Sequence, residues 1–295
     1  MAEDRSKIYD KYRPFLEERK CDLCGGDRFR ALRTQEKYGF PIGVVLCKRC
    51  GLVFYNPMWT EEGYNEFYRK DYRHLTRTFD KDNLEEQGKF SRYLVTFLSD
   101  IVKKSSTLRI LEIGCDQGGI LSILKESFGG EVYGIEPNEK ACEVARKKGI
   151  EVSNKNFEAG DYPKEFFDLV IITKTLNHLV QPSRTLWETN RILKPTGKLY
   201  IDAKDVVRGS SMTHFYAQID HPFMYGEHTL KILFKKNNFE VIKVDRVKEK
   251  SGYDIRIVGE KQVLSADTRF RAKKKNYFQT IGRLYANDVI SCFVK

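Results

Sequence analysis

The chain has 295 residues, 32% of them charged and 41% hydrophobic, and carries a net charge of +11 at neutral pH. Such a length can bury a large core and hold one large domain plus a smaller one, and the composition excludes disordered and fibrous classes. No eighteen apolar residues run together, and the first twenty mix both signs of charge without an apolar centre, so neither a membrane span nor a secretory signal is predicted and a cytoplasmic location is expected.

The basic surplus suits nucleic acid, anionic lipid or phosphorylated small molecules and does not choose among them. Much of it lies in pairs such as Lys103-Lys104, Lys147-Lys148 and Lys235-Lys236, which read as solvated helix faces. Only Arg269 to Lys275, RFRAKKK, forms a dense block.

Near the N-terminus, Cys21 and Cys24 in CDLCGG and Cys47 and Cys50 in CKRCG form two CxxC pairs. Two such knuckles bring four thiolates within reach of one tetrahedral Zn²⁺, and a four-sulfur shell leaves no position for water, so the predicted ion is structural. Gly25 and Gly51 follow the second cysteine of each pair and supply the backbone freedom a knuckle needs. Disulfides are disfavoured in a chain expected to stay in the cytoplasm. The remaining thiols, Cys115, Cys142 and Cys292, read as small core or turn residues.

After the second knuckle comes GLVFYNPMWTEEGYNEFYRKDYR, with aromatics at Tyr55, Trp59, Tyr64, Phe67, Tyr68 and Tyr72 that suit either a substrate wall or packing. Residues 79 to 103 show helical spacing and predict a helix packed on a sheet edge. From Leu108 to Gly119, LRILEIGCDQGG reads as a strand ending near Glu112, then a turn through Gly114, Gly118 and Gly119 into the helical ILSILKESF. Glycines there allow a sharp bend and let a ligand lie against bare N–H groups at a helix start. A second strand closes on Glu136 and Pro137, and an acid so placed accepts from a ribose diol. Next follow FDLVIITKTLNHL, a helix over QPSRTLWETNRIL, a Lys-Pro-x-Gly turn and another strand. Strand and helix alternate throughout, which predicts a doubly wound α/β sheet with right-handed crossovers. Helix then strand are expected over GEHTLKILFKKNNFEVIKV. Either IRIV (255–258) or VISCFV (289–294) closes the sheet, with Tyr277 to Tyr285 helical.

These segments resemble the class I S-adenosylmethionine (SAM) dependent methyltransferases over about residues 106 to 245. The first motif of that family, acidic-x-Gly-x-Gly-x-Gly, is matched by Glu112, Gly114 and Gly118, while Asp116 stands where the middle glycine is usual. The resemblance implies a Rossmann-like, seven-stranded, mostly parallel sheet. It implies cofactor contacts from Glu112, Gly114, Cys115, Asp116, Gly118, Glu136 and Pro137, from Asn156 and Phe157 around the adenine, and from Thr173 and Lys174 near the methyl group. Lys174 is unusual beside a cation and offers itself to an anionic substrate instead.

The knuckles with GLVFYNP and the Tyr-rich helix resemble the N-terminal module of bacterial methyltransferases of sugar and surface-polysaccharide biosynthesis. Four units follow: a zinc-ribbon module over 1–60, a helical linker or cap over 61–105, the SAM-binding domain over 106–262 and a basic segment over 263–295 that is a candidate to complete the sheet. The implied reaction is methylation of a sugar, nucleotide sugar or related small metabolite, on oxygen. A sugar hydroxyl is weakly acidic, so a base helps, and His178 in TLNHLVQP and His221 in IDHPFMYGEHTL are the candidates, with His214 and His228 nearby. Two other readings stay open. One is an RNA methyltransferase, which a zinc ribbon and basic balance also suit, although no Asn-Pro-Pro-Tyr-like tetrad for a flipped base follows the fourth strand. The other is a binding protein without catalysis.

Overall fold

A computed structural model describes residues 2–32, 34–72, 75, 84–208, 210, 215–249, 252–262 and 275–293. Its centre is one seven-stranded sheet built from β1 (Arg109–Ile113), β2 (Glu131–Ile135), β3 (Glu151–Ser153), β4 (Phe167–Thr173), β5 (Leu193–Lys204), β6 (Phe239–Glu249) and β7 (Gly252–Lys261). Their spatial order is β6-β7-β5-β4-β1-β2-β3, as the doubly wound pattern predicts. β7 alone runs against both its neighbours, and the pairs from β5 through to β3 are parallel. The central strands β1 and β4 are near-continuous apolar runs, as befits a sheet covered on both faces. Residues 255–258 therefore lie in the antiparallel strand. The other candidate, 289–294, is helical through Phe293, and its helix packs away from the sheet.

Helices α1 (Gly119–Phe128) and α2 (Glu139–Lys147) cover one face, sharing a core with Leu94, Phe97 and Leu98. The latter three belong to the helix Leu84–Leu98, which lies on this face beside α1 and reaches the edge strand β6. Its position follows from the Phe97 ring meeting Tyr200 of β5 edge-on at 5.9 Å and from Lys243 of β6 donating to the Phe97 carbonyl at 2.8 Å. Helices α3 (Pro182–Ile192) and α4 (Glu227–Lys236) cover the opposite face together with the N-terminal region.

That N-terminal region does not close on itself at residue 60. Its sheet has Val44–Cys47 between Phe29–Ala31 and Val53–Tyr55, all antiparallel, and the fourth strand is Phe223–Met224 from the segment between β5 and α4. Thr34–Glu36 likewise pairs with Phe215–Ala217. The cis peptide bond Asn56-Pro57 follows Val53–Tyr55. The helix Glu61–Lys70 is capped by the Thr60 hydroxyl, which accepts from Gly63 N at 3.2 Å, as a threonine before an acidic first turn predicts.

Of the six aromatics flagged in this stretch, Tyr55, Trp59, Tyr64 and Phe67 are fully buried and pack with Tyr12 and Phe40. Tyr68 and Tyr72 instead face the large cavity described below. The C-terminal helix Lys275–Phe293 seats Ile281 and Leu284 against the module and α4. Among the described residues no helix is long and apolar enough to cross a membrane. His214, and the basic block up to residue 274, lie outside the described residues.

Candidate functional site: a donor crevice, a histidine wall and four sulfurs

The chain leaves β1 and β4 in opposite directions across the sheet, and the crevice beyond their C-terminal ends is where an open α/β sheet takes its ligand. A cavity of about 1700 Å³ opens there. A small-molecule pocket is about 300–1,000 Å³, so there is room for two ligands side by side.

The turn after β1 carries three left-handed residues, Gly114 (φ 77°), Asp116 (φ 45°) and Gly118 (φ 72°). Position 116 therefore takes the backbone conformation that usually calls for glycine. Aspartate is among the few other residues that adopt it at modest cost, and its exposed side chain leaves the turn open. A Cβ on Gly114 would meet the Thr175 hydroxyl at 2.4 Å, and one on Gly118 would meet Ile150 Cδ1 at 2.3 Å. The first glycine lets the loops after β1 and β4 touch, and the second lets α1 lie against the β3 side of the sheet.

Glu136, at the end of β2, takes Asp116 N at 3.2 Å on one carboxylate oxygen and Asn138 N at 2.9 Å on the other. It lines the cavity with Pro137, and those two backbone donors fix its direction. Asn156 and Phe157 line it too, the Asn156 amide donating to Asn65 of the capping helix at 3.1 Å. Cys115 is buried among apolar neighbours, and burial pushes its thiol above the ordinary range.

Glu112 is 1% exposed, and its Oε2 has no hydrogen-bond partner; nor has the Thr173 hydroxyl at the end of β4. Burial pushes the Glu112 carboxyl up to about 8, with the Asp116 and Glu136 carboxylates adding to it. Thr173 lines the cavity while Glu112 lies outside its lining, and a buried acid with an unpaired oxygen is costly unless a donor joins it. The donor set therefore fits a ligand with a positive, hydrogen-bonding end.

Lys174 lines the cavity, and its ammonium is engaged by acids of the neighbouring strands. Its backbone is left-handed (φ 55°), and its ammonium pairs with Asp202 at 2.9 Å and with Asp254, both carboxylates buried. Arg256 closes the other side of Asp202 at 2.8 Å. With Lys204 3.3 Å from Asp254, the two buried carboxylates meet three cations, and the cluster holds the Lys174 ammonium in place.

His178 sits on the cavity wall in a short turn, Leu176–His178, after β4. Its Nδ1 lies 2.8 Å from the Asp220 carbonyl oxygen, which can only accept, so Nδ1 carries the proton and Nε2 a free lone pair. The Tyr68 hydroxyl donates to the same carbonyl at 2.7 Å. The His221 ring stands edge-on to His178 at 4.6 Å between centroids, with its Nε2 3.8 Å from an Asp220 carboxylate oxygen. Burial lowers both imidazoles, His221 to about 4. His228 belongs elsewhere, bonded to Thr280 at 2.6 Å.

Asp220 and Thr175 were not singled out by sequence reasoning. The Asp-His doublet in IDHPF was the available signal for Asp220. Thr175 is placed by the approach of separate elements, which no local pattern announces.

The four cysteines converge as predicted. Cys21 and Cys50 sulfurs are 3.5 Å apart, as are those of Cys24 and Cys47, and one sulfur from each lies within 4.8 Å of the rest. None is in a disulfide. Tetrahedral Zn–S bonds of about 2.3 Å put sulfurs about 3.8 Å apart, so the set fits zinc. Both knuckles turn alike: Gly25 N donates to Cys21 O at 2.7 Å and Gly51 N to Cys47 O at 3.0 Å, with positive φ at each glycine. Gly51 has a further duty, since a Cβ there would fall 2.6 Å from Asn276 O of the C-terminal helix.

A family model described as a methyltransferase domain matches residues 64–244. An uncharacterized methyltransferase of Schizosaccharomyces pombe is 35% identical over 124 residues, covering 37% of this chain and 43% of that protein. The ubiquinone biosynthesis O-methyltransferase of Aromatoleum aromaticum is 27% identical over 152 residues, covering 49% and 61%. The chain thus spans about half the length of the curated relatives it matches. Among solved structures, the Burkholderia thailandensis 1,6-didemethyltoxoflavin-N1-methyltransferase is similar with a TM-score of 0.56 at 14% identity, over 76% of this chain and 96% of that one. At that identity the likeness is one of fold.

Proposed function

The chain belongs to the methyltransferase-domain family, and from that premise we propose that it moves a methyl group from SAM to a hydroxyl of a sugar, nucleotide sugar or related small metabolite. When bound, SAM supplies an activated methyl on a sulfonium, so the protein's work is alignment, exclusion of water and care of one proton. Glu136 accepts from the ribose diol, Asn156 and Phe157 frame the adenine, and the turn through Gly114 and Asp116 lies under the amino-acid end. Glu112 and Thr173 offer that end a carboxylate and a hydroxyl. Lys174 acts by holding the ends of β4, β5 and β7 together rather than by touching a ligand.

The observation that carries the reading is the cavity itself, which runs from Glu136 to His178 and exceeds what one ligand needs. At its far wall His178 presents Nε2 with a free lone pair, and His221 stands behind it. General-base help of this kind is worth about 10²- to 10⁴-fold. Tyr68 and Tyr72 give a sugar ring two aromatic faces to lie on. The four-cysteine cluster holds a structural Zn²⁺ that fixes the cap over this cavity.

Transfer of labelled methyl from SAM to a panel of nucleotide sugars, with bulk RNA as competitor, tests the reading. Labelled sugar is the expected product. Preferential labelling of RNA would reverse the choice of acceptor, and absence of SAM binding by calorimetry would remove the enzyme altogether.

A further inference from the structure

Behind the cavity wall lies a group that neither the donor crevice nor the cysteine cluster accounts for. Asp220 is 3% exposed, and its Oδ1 has no hydrogen-bond partner. Among the described residues its carboxylate has one ion-pair neighbour, the His221 ring at 3.8 Å. One nitrogen of His178, one of His221 and a carboxylate oxygen of Asp220 lie within 4.8 Å of one another. A buried carboxylate with an unpaired oxygen beside two imidazoles is a donor set that a cation completes.

We infer that His178, Asp220 and His221 form a binding site for a divalent transition-metal cation, distinct from the four-sulfur site. Two imidazoles and one carboxylate suit ions such as Fe²⁺, Co²⁺ or Zn²⁺ and leave coordination positions open. The second layer is in place as well. His178 donates its Nδ1 proton to the Asp220 carbonyl at 2.8 Å, which aims the bare Nε2 lone pair away from that bond, and Tyr68 braces the same carbonyl at 2.7 Å. A ligating histidine is usually oriented by such a bond through its other nitrogen.

The role of the cation rests on the hydroxyl-acceptor reading; the site does not. Because His178 lines the cavity, a cation held there is within reach of the acceptor oxygen and lowers its pKa, replacing an imidazole as the means of deprotonation. The acceptor O–H bond breaks with its proton leaving to water, the oxygen forms a bond to the methyl carbon, and the S–C electron pair stays on sulfur.

The experiment uses the full chain with its cysteine site filled by zinc. Titration with Co²⁺ is followed by visible d–d absorption, and metal content is measured in parallel. The expected result is one further equivalent per chain, without the intense sulfur-to-cobalt band, its affinity falling at least tenfold in both Asp220→Asn and His221→Gln while zinc stays at one per chain. His221→Gln keeps the size of the side chain and carries the test if Asp220→Asn fails to fold. No second equivalent in the parent chain, or one equally strong in the variants, overturns the site. Cobalt binding as expected with no hydroxyl methylated would overturn the acceptor reading and leave the site standing.

Discussion

Replacing Gly114 by alanine is the sharpest probe of the crevice. A Cβ at this position would stand 2.4 Å from the Thr175 hydroxyl oxygen, 2.8 Å from its Cγ2 and 3.1 Å from its Cβ, where contacts of about 3.5–4.0 Å are comfortable. Something must move by about 1 Å. Overpacking of this kind costs about 1–3 kcal/mol, and holding alanine at φ 77° adds about 1–2 kcal/mol. The Thr175 hydroxyl also donates to Thr173 O at 2.9 Å, and losing that bond costs about 1 kcal/mol. Gly114→Ala should therefore lose about 3–6 kcal/mol, a fall in Tm of roughly 6–24 °C by scanning calorimetry. Because the displaced loop borders the donor crevice, SAM affinity should drop at least about tenfold, or 1.4 kcal/mol. Thr175→Ala in the same chain removes two of the three clashing atoms, so the double variant should be at least about 1 kcal/mol more stable than the two single losses predict. A Gly114→Ala protein with unchanged Tm, or a double variant whose losses simply add, would refute the reasoning.

Three further outcomes follow from the site and its supports. Glu112, raised to about 8 from an unfolded value of 4.5, holds a proton in the folded apoprotein that the unfolded chain lacks between those pH values, so its contribution to stability falls as pH rises through that window. Binding of a cationic donor beside it should release a proton at pH 7; calorimetry in buffers of different ionisation enthalpy should show this for the parent and lose it in Glu112→Gln. His228, lowered to about 4 by burial, behaves in the opposite sense: between pH 6.5 and 4 the unfolded chain binds a proton the folded chain refuses, so stability rises with pH there, by about 3 kcal/mol in all. His228→Gln should flatten that acid limb in urea titrations, and an unchanged limb would rule His228 out. Gly51→Ala, with its Cβ 2.6 Å from both Asn276 O and the Thr280 hydroxyl, should leave one zinc per chain but expose the C-terminal helix to hydrogen exchange, whereas stripping the zinc with a chelator should expose the module as well.

The parts of this molecule written in periodicity and short motifs were legible before any coordinates. Glycine turns, an acid closing the second strand and two CxxC pairs are local signals, and each points to one physical requirement. Asp116 illustrates how a departure from a motif becomes intelligible: φ 45° is the constraint, and glycine is only its commonest answer. What stayed hidden depends on where distant elements meet. Lys174 reads from sequence as a cation in a cofactor pocket, yet Asp202 and Asp254 arrive from β5 and β7 to claim it. The 289–294 stretch is rich in β-branched and aromatic residues and reads as a strand, but the helix begun at Lys275 runs on to Phe293, and so weak a preference does not decide a segment alone.

The short strand Phe223–Met224 ties the two halves of the molecule into a single assembly problem. It stands two residues beyond His221, and its hydrogen bonds go to Val53–Tyr55, which begins three residues after Cys50. Severing the chain near residue 60 would leave one fragment with an unpaired sheet border and the other with Asp220 and His221 braced from one side alone, by Asn177 on the Phe223 carbonyl and by Tyr68 and His178 on that of Asp220. Whatever grips the four sulfurs thus also bears on the stiffness of the histidine wall, and its loss in an oxidising cell would reach the cavity through this seam and through the pairing of Thr34–Glu36 with Phe215–Ala217.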